Sequence, residues 1–416
     1  MLQRNISKIL DFVKGYDSRL WILTFGWLIS AMGFAMVMPF ISIYFHSELG
    51  IPMSWVGLVF GISAIVRASV GFVSGEYSDL WGRVKIMVFG QILRAFTFFI
   101  IAWFIYKGSG FLLLSFLIIL SYLFGGFYQP VAQAMVADVV ARHKRVEAFS
   151  IIRMGANLGW AIGPAIGGFV SSVSYPLLFV IGGLTSLVSG VLIWFFVKET
   201  VIADENTSRF SFKDLIEIRK DRLFFLYCII SFLLFVVVAQ LIATLSVFSV
   251  DWVGITKTSL GYLYTLNGLM VTLFQFPMAK FIKRFKITEV LFYGSLLYML
   301  GYTAVGLAGS FAWLFLCMVV ITMAEISVMP ATMALVANMS PEKNRGRYMG
   351  TFNLSSSFGW SIGPIVGGVL LDVLSGNPFF VWSGISVLAL ISAFSYRWLG
   401  KKLSPEVNFS REIYQK

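Results

Sequence analysis

Apolar residues along this chain do not alternate as in a half-buried strand. They also do not fall in the three-to-four spacing of a surface helix. They gather in long runs broken by short polar stretches. Runs of membrane length lie at roughly 20–45, 54–75, 84–106, 111–137, 146–171 and 176–197, and then at 223–250, 258–280, 287–308, 311–337, 345–372 and 378–399. About 20 apolar residues in a helix cross the hydrocarbon core of a bilayer. The pattern therefore predicts an all-α polytopic membrane protein with twelve transmembrane helices. It divides into a leading segment 1–19, a first set of six spans over 20–197, a linker 198–222, a second set over 223–399 and a tail 400–416. The leading segment and the linker each place apolar residues at helical spacing among basic ones, a pattern that suits short helices lying on a membrane surface.

Composition sharpens this. Of the 416 residues 58% are hydrophobic and only 12% charged, about half the charged share of soluble domains. Mean hydropathy is +0.85. A soluble enzyme, a disordered chain and a nucleic-acid binder are excluded. The net charge of +12 belongs to topology instead: 27 of the 32 Lys and Arg fall on the side that carries both termini, which the positive-inside rule makes cytoplasmic. The only two cysteines, Cys228 and Cys317, sit in apolar runs, and the only two histidines, His46 and His143, fall in or near expected loops. No metal or redox chemistry is expected from these, and no enzymatic activity or cofactor.

The chain repeats itself. Residues 159–168 read GWAIGPAIGG and residues 359–368 read GWSIGPIVGG, an offset of 200 without a gap. Upstream, Pro130, Ala134, Val136, Ala137 and Arg145 match Pro330, Ala334, Val336, Ala337 and Arg345, giving 12 identities in 39 positions. The two sets of six spans are thus parallel copies, an architecture of secondary transporters. Gly159, Gly163 and Gly167 stand four apart, as do Gly359, Gly363 and Gly367, and such spacing lets a neighbouring helix approach closely. Pro164 and Pro364 each remove a backbone hydrogen bond. With Gly168 and Gly368, these residues read as a packed hinge or seal.

These residues make the chain resemble the major facilitator superfamily over roughly 20–399. The span-five run Gly159-x-x-x-Gly163-Pro164-x-x-Gly167-Gly168 looks like the motif of its drug and metabolite antiporters. The loop after span two, with Gly75, Asp79, Gly82, Arg83 and Lys85, is similar to the family's cytoplasmic loop motif G-x-x-x-D-x-x-G-R-x-K. The resemblance implies two pseudo-symmetric six-helix bundles, with a substrate cavity between them reached from one face at a time. It also implies a latch in which Asp79 caps span eleven and Arg83 pairs with Asp138 at the end of span four. The corresponding stretch after span eight, Gln275 to Lys286, keeps the basic residues but lacks the Asp and the glycines, so a single latch is expected.

Charge inside a span is costly and marks function by default. Glu325, near the middle of span ten, is the main candidate to take up and release a proton. Arg153 and Asn157 follow one another on a face of span five, and Arg153 is read as an anion ligand or as a partner for Glu325. Gln240 in span seven and Asn267 and Gln275 in span eight are read equally as substrate ligands and as interhelical glue. Arg67 and Arg94 are ambiguous; the resemblance makes span three peripheral, so Arg94 is expected to support the fold or the latch rather than the substrate. Two absences weigh against proton antiport: no basic residue in 111–137 and no acid between Leu20 and Phe45. The expected activity is proton-driven efflux of a small amphipathic compound or drug by a monomer in the cytoplasmic membrane of a prokaryote. The expected partners are its small-molecule substrate and the lipid bilayer. Uptake of a sugar, peptide or other metabolite, and lipid flipping, are the alternatives on the same fold.

Overall fold

The computed structural model describes residues 15–141, 144–200, 221–341, 345–374 and 376–409. His143 and most of the two amphipathic stretches lie outside these residues. Every described element is helical: α1 (Ser18–Ile43), α2 (Met53–Trp81), α3 (Arg83–Tyr106), α4 (Phe111–Gly126), α5 (Tyr128–Val139), α6 (Arg145–Val173), α7 (Tyr175–Phe196), α8 (Arg222–Val238), α9 (Thr244–Asp251), α10 (Lys257–Ile282), α11 (Ile287–Val305), α12 (Phe311–Met339), α13 (Arg345–Val373), α14 (Pro378–Gly400) and the short α15 (Pro405–Asn408). Among the described residues, nine membrane spans qualify by length and apolarity together. The other long helices, α6, α10 and α11, run 29, 26 and 19 residues, long enough to cross. Glycines, charges and hydroxyl groups dilute their apolar character.

Three spans differ from the continuous helices expected. α1 continues as a π-helical turn, Tyr44–Glu48, so His46 lies in helix rather than loop. Span four breaks at Phe127 into α4 and α5, where Gly125, Gly126 and Pro130 weaken the backbone ladder. Span seven unwinds into a 3-10 turn, Ala239–Leu241, before α9. Side chains take over the hydrogen bonds there. Gln240 Nε2 donates to the Val236 carbonyl at 2.8 Å, Thr244 Oγ1 donates to Gln240 Oε1 at 2.7 Å, and the Tyr264 hydroxyl donates to the Leu241 carbonyl. Local side-chain bonding of this kind competes with the helix.

The chain packs as two compact units: Met1–Val37, Val66–Gly163 and Val173–Ser208 form one; Met38–Ile65, Pro164–Ser172 and Arg209–Lys416 form the other. In the first, α7 lays a glycine face on α3. A Cβ on Gly183 would stand 2.5 Å from the Phe99 ring, and one on Gly190 3.2 Å from Gln91 Cβ. Leu23, Met87, Tyr128, Met135, Ile152 and Ile193 are buried together in its core. In the second, α11 packs on α12 and α14, and α8 on α13.

The repeated glycines explain why pieces of the first six spans join the second unit. Gly159 and Gly163 bring α6 onto α1, against the carbonyls of Leu28 and Met32. Gly359 and Gly363 bring α13 onto α8, against those of Phe232 and Val236. Further along, each repeat meets a helix of the other copy. Gly168 faces the Lys257 carbonyl and Gly368 the Met53 carbonyl, while Gly261 faces that of Pro164 and Gly57 that of Pro364. A Cβ at any of these four would stand 2.1–2.5 Å from the oxygen.

Candidate substrate and coupling site

Glu325 projects from α12 and is half-buried. Asn267 of α10 donates from Nδ2 to Glu325 Oε2 at 2.8 Å and to Thr322 Oγ1 at 3.0 Å. Thr322 in turn donates to the Met318 carbonyl at 2.7 Å. Tyr298 and Tyr302 of α11 lie within electrostatic reach of the Glu325 carboxylate. Both are fully buried, and their hydroxyls make no hydrogen bond, nor does Nε1 of the buried Trp382. The rings of Tyr298 and Tyr302 stack at 6.2 Å and 11°, and Tyr302 stacks on Trp382 at 5.6 Å and 2°. Phe248 meets Trp382 edge-on at 5.3 Å and stacks on Trp252, which stacks on His46 at 5.8 Å. An aromatic ladder thus runs from the neighbourhood of Glu325 to the end of α9.

At that end several polar groups hold the loops together. Ser47 donates to both carboxylate oxygens of Asp251 at 2.8 Å, and His46 Nε2 stands 3.7 Å from the same carboxylate. Lys257 Nζ pairs with Glu48 at 3.1 Å. Asp372 of α13 receives hydrogen bonds from the backbone N–H groups of Met53 (2.8 Å) and Ser54 (2.7 Å) at the start of α2, where unpaired donors and the helix dipole favour an anion. Sequence reasoning missed Asp372. Its only signal is an acid at the end of a span.

The loop motif is assembled in the first unit. Arg83 Nη2 donates to Asp79 at 3.2 Å, and Arg83 Nε lies 2.9 Å from Asp138 Oδ2, an ion pair without straight hydrogen-bond geometry. Gly82 adopts φ 98°, a left-handed conformation that glycine enters freely. The α3 N-terminus is capped by Glu199, which accepts from the N–H groups of Arg83 and Val84 at 3.0 Å each. Thr200 Oγ1 donates to Asp138 at 2.9 Å. Glu199 too was not singled out from sequence. Gly75 has open space around its α-carbon, and Lys85 lines a cavity of about 700 Å³ with Tyr77, Leu80, Trp81, Ile86, Phe89 and Phe127.

The remaining candidates separate. Gln240 is fully buried, and its amide also donates to the Gly363 carbonyl at 2.8 Å. That accounts for it as the glue between the broken span seven and the glycine helix α13. Arg153 is exposed on α6 and makes no ion pair among the described residues; Asn157 and Gln275 are half-buried. The unexpected cluster is Arg67 with Arg94, which the structure brings to the same Phe34 ring, at 5.3 and 5.0 Å from its centroid.

The Major Facilitator Superfamily model matches residues 23–253 and 250–415. The chain belongs to this superfamily. It is 26% identical to a Na(+), Li(+), K(+)/H(+) antiporter of Planococcus maritimus, with 93% of this chain and 97% of the relative covered. It is also 26% identical to the multidrug resistance protein MdtH of Photorhabdus laumondii, with 90% and 92% covered. Similar folds include a bacterial homolog of the human lysosomal transporter Spinster in an inward-facing, occupied conformation (TM-score 0.77, 16% identity, 94% and 98% covered) and the peptide transporter POT in complex with sulfate (TM-score 0.78, 15% identity, 95% and 96% covered). The superfamily member described here is a multi-pass membrane protein that transports small molecules and is not an enzyme.

Proposed function

We propose that this transporter is a proton-coupled exporter of small amphipathic compounds in a bacterial inner membrane. It works by alternating access, with both termini cytoplasmic. The observation that carries this reading is Glu325, a carboxylate within α12 held by the Asn267 amide beside two unpartnered tyrosine hydroxyls. An ionisable side chain within a span marks an ion or proton path by default, and we assign Glu325 that role. Arg153 and Asn157 remain candidates for contact with substrate. Arg83, Asp79 and Asp138 form a latch that biases the equilibrium between the two access states, with Gly75, Gly82 and Lys85 shaping its loop. The glycine–proline segments act as its hinges. The two relatives at 26% identity, one a Na(+), Li(+), K(+)/H(+) antiporter and the other a multidrug resistance protein, support export over uptake.

The test is transport in proteoliposomes under an imposed pH gradient, with ethidium as the amphipathic probe. Wild type accumulates the dye against its gradient, and Glu325→Gln loses that accumulation while still equilibrating dye down a concentration gradient. Equal, gradient-independent movement in both proteins refutes the coupling.

A second reading has its own support. The carboxylate of Glu325, the Thr322 hydroxyl and the Asn267 amide gather oxygen ligands within the span, and ionisable groups so placed mark ion paths. With this activity, sodium added outside the same vesicles moves protons without any dye, and Glu325→Gln stops it.

A further inference from the structure

We propose that the first unit contains an anion-binding site formed by Arg67 and Arg94, which takes the carboxylate or sulfonate of an aromatic amphipathic compound. Regarding its biological meaning, the inference rests on the export reading above; the binding itself does not. Arg94 is 5% exposed, and its Nε and Nη2 atoms are buried without a hydrogen-bond partner. Among the described residues its hydrogen bond is a long one, Nη1 to Ser30 Oγ at 3.4 Å. The neighbouring Gln91, 1% exposed, donates to Ser30 at 2.8 Å and leaves its own Oε1 unpartnered. Arg67 donates to the exposed Gln129 at 3.1 Å.

Neither guanidinium is neutralised. No Asp or Glu occurs between Asp17 and Glu48, between Glu48 and Glu76, or between Asp79 and Asp138, and among the described residues neither arginine makes an ion pair. The two are close enough to repel one another. Burying an unpaired charge such as that of Arg94 is strongly unfavourable, and a like charge nearby adds to the cost. Aromatic faces relieve part of this: both guanidiniums lie over the Phe34 ring, and Phe98 stands 5.3 Å from Arg94. A ring face supplies no acceptor for the free N–H groups, however, whereas a carboxylate or sulfonate supplies two or three in the planar geometry that arginine matches.

The surroundings also select the rest of the ligand. Phe34 packs edge-on against Tyr122 at 5.2 Å and Trp160 at 6.0 Å, and Phe34 and Trp160 are only half-buried. An aromatic body extending from the anionic group would lie along this wall.

The experiment is calorimetric titration of the full chain in nanodiscs with 1-naphthoate and with the neutral 1-naphthalenemethanol. Wild type binds the acid at least about tenfold more tightly than the alcohol, as charge-assisted bidentate pairing requires. Arg94→Gln and Arg67→Gln each remove that preference without changing alcohol binding. Should either variant fail to fold, wild type alone decides: naphthoate raises its melting temperature and the alcohol does not. Equal affinity of wild type for acid and alcohol, or naphthoate binding unchanged in both folded variants, overturns the proposal. The titration reads binding with no gradient imposed, whereas the coupling test reads gradient-driven accumulation, so failure of the coupling reading and failure of this one are separable.

Discussion

At the scale of single residues, the chemistry concentrates where a polar side chain has no water to fall back on. Glu325 was legible because it stands alone between Glu289 and Glu342 in an otherwise uncharged stretch. The arginine pair was not. Arg67 and Arg94 belong to different spans, and nothing in their spacing says that they share the ring of Phe34. Gln240 was ambiguous in sequence; in the structure its amide bonds the Val236 and Gly363 carbonyls and the Thr244 hydroxyl. Gln240→Ala leaves the Gly363 carbonyl and Thr244 without their partner and is expected to lower stability by about 1–3 kcal/mol, read from thermal unfolding in detergent. Arg83→Gln acts differently. Its ion pairs are partly solvated, so stability changes by less than about 1 kcal/mol, while the transport rate falls severalfold as the latch loosens. An unchanged rate in that variant contradicts the latch. Asp17 offers a pH check. The guanidinium of Arg19, 2.7 Å away, holds its carboxyl below the usual carboxylate range. Its small contribution is therefore present at neutral pH and lost as the pH falls below that range; Asp17→Asn flattens the acid limb of the stability profile.

At the scale of elements, periodicity located every long helix but not the breaks within spans four and seven. A run of apolar residues looks the same whether its backbone ladder is continuous or its bonds have been taken over by Gln240, Thr244 and Tyr264. The glycine repeat was legible as a packing face, and the structure adds which oxygen each glycine meets. Gly363→Ala places a methyl 2.8 Å from the Val236 carbonyl and 2.5 Å from Ala239 Cβ. Since backbone must move, a loss of about 1–3 kcal/mol follows. Gly75→Ala, with open space around it, is expected to leave the melting temperature unchanged. Equal loss in both variants would mean that close approach is not what the glycines supply.

At the scale of the whole molecule, duplication is the organising fact, and it was written in the 200-residue offset. What the offset does not show is the exchange it permits, in which the end of each glycine helix meets the start of a helix from the other copy. Nor does it show that the copies have diverged at their ends. Asp138 pairs with Arg83, whereas its counterpart Asn338 donates to the Val407 and Phe409 carbonyls of the tail at 3.0 Å. Asp372 binds the exchange together by capping α2, so Asp372→Ala is expected to cost about 1 kcal/mol and to shift the balance of access states away from closure at these loops.

The central claim is that these loops must separate for substrate to cross. A double variant, Ser47→Cys with Asp251→Cys, in a chain whose Cys228 and Cys317 are replaced by alanine, places thiols where a hydroxyl now meets a carboxylate at 2.8 Å. Ethidium transport by this variant is measured in vesicles before and after oxidation. The account predicts that the disulfide stops transport and that reduction restores it. Transport at the full rate with the disulfide formed would contradict it.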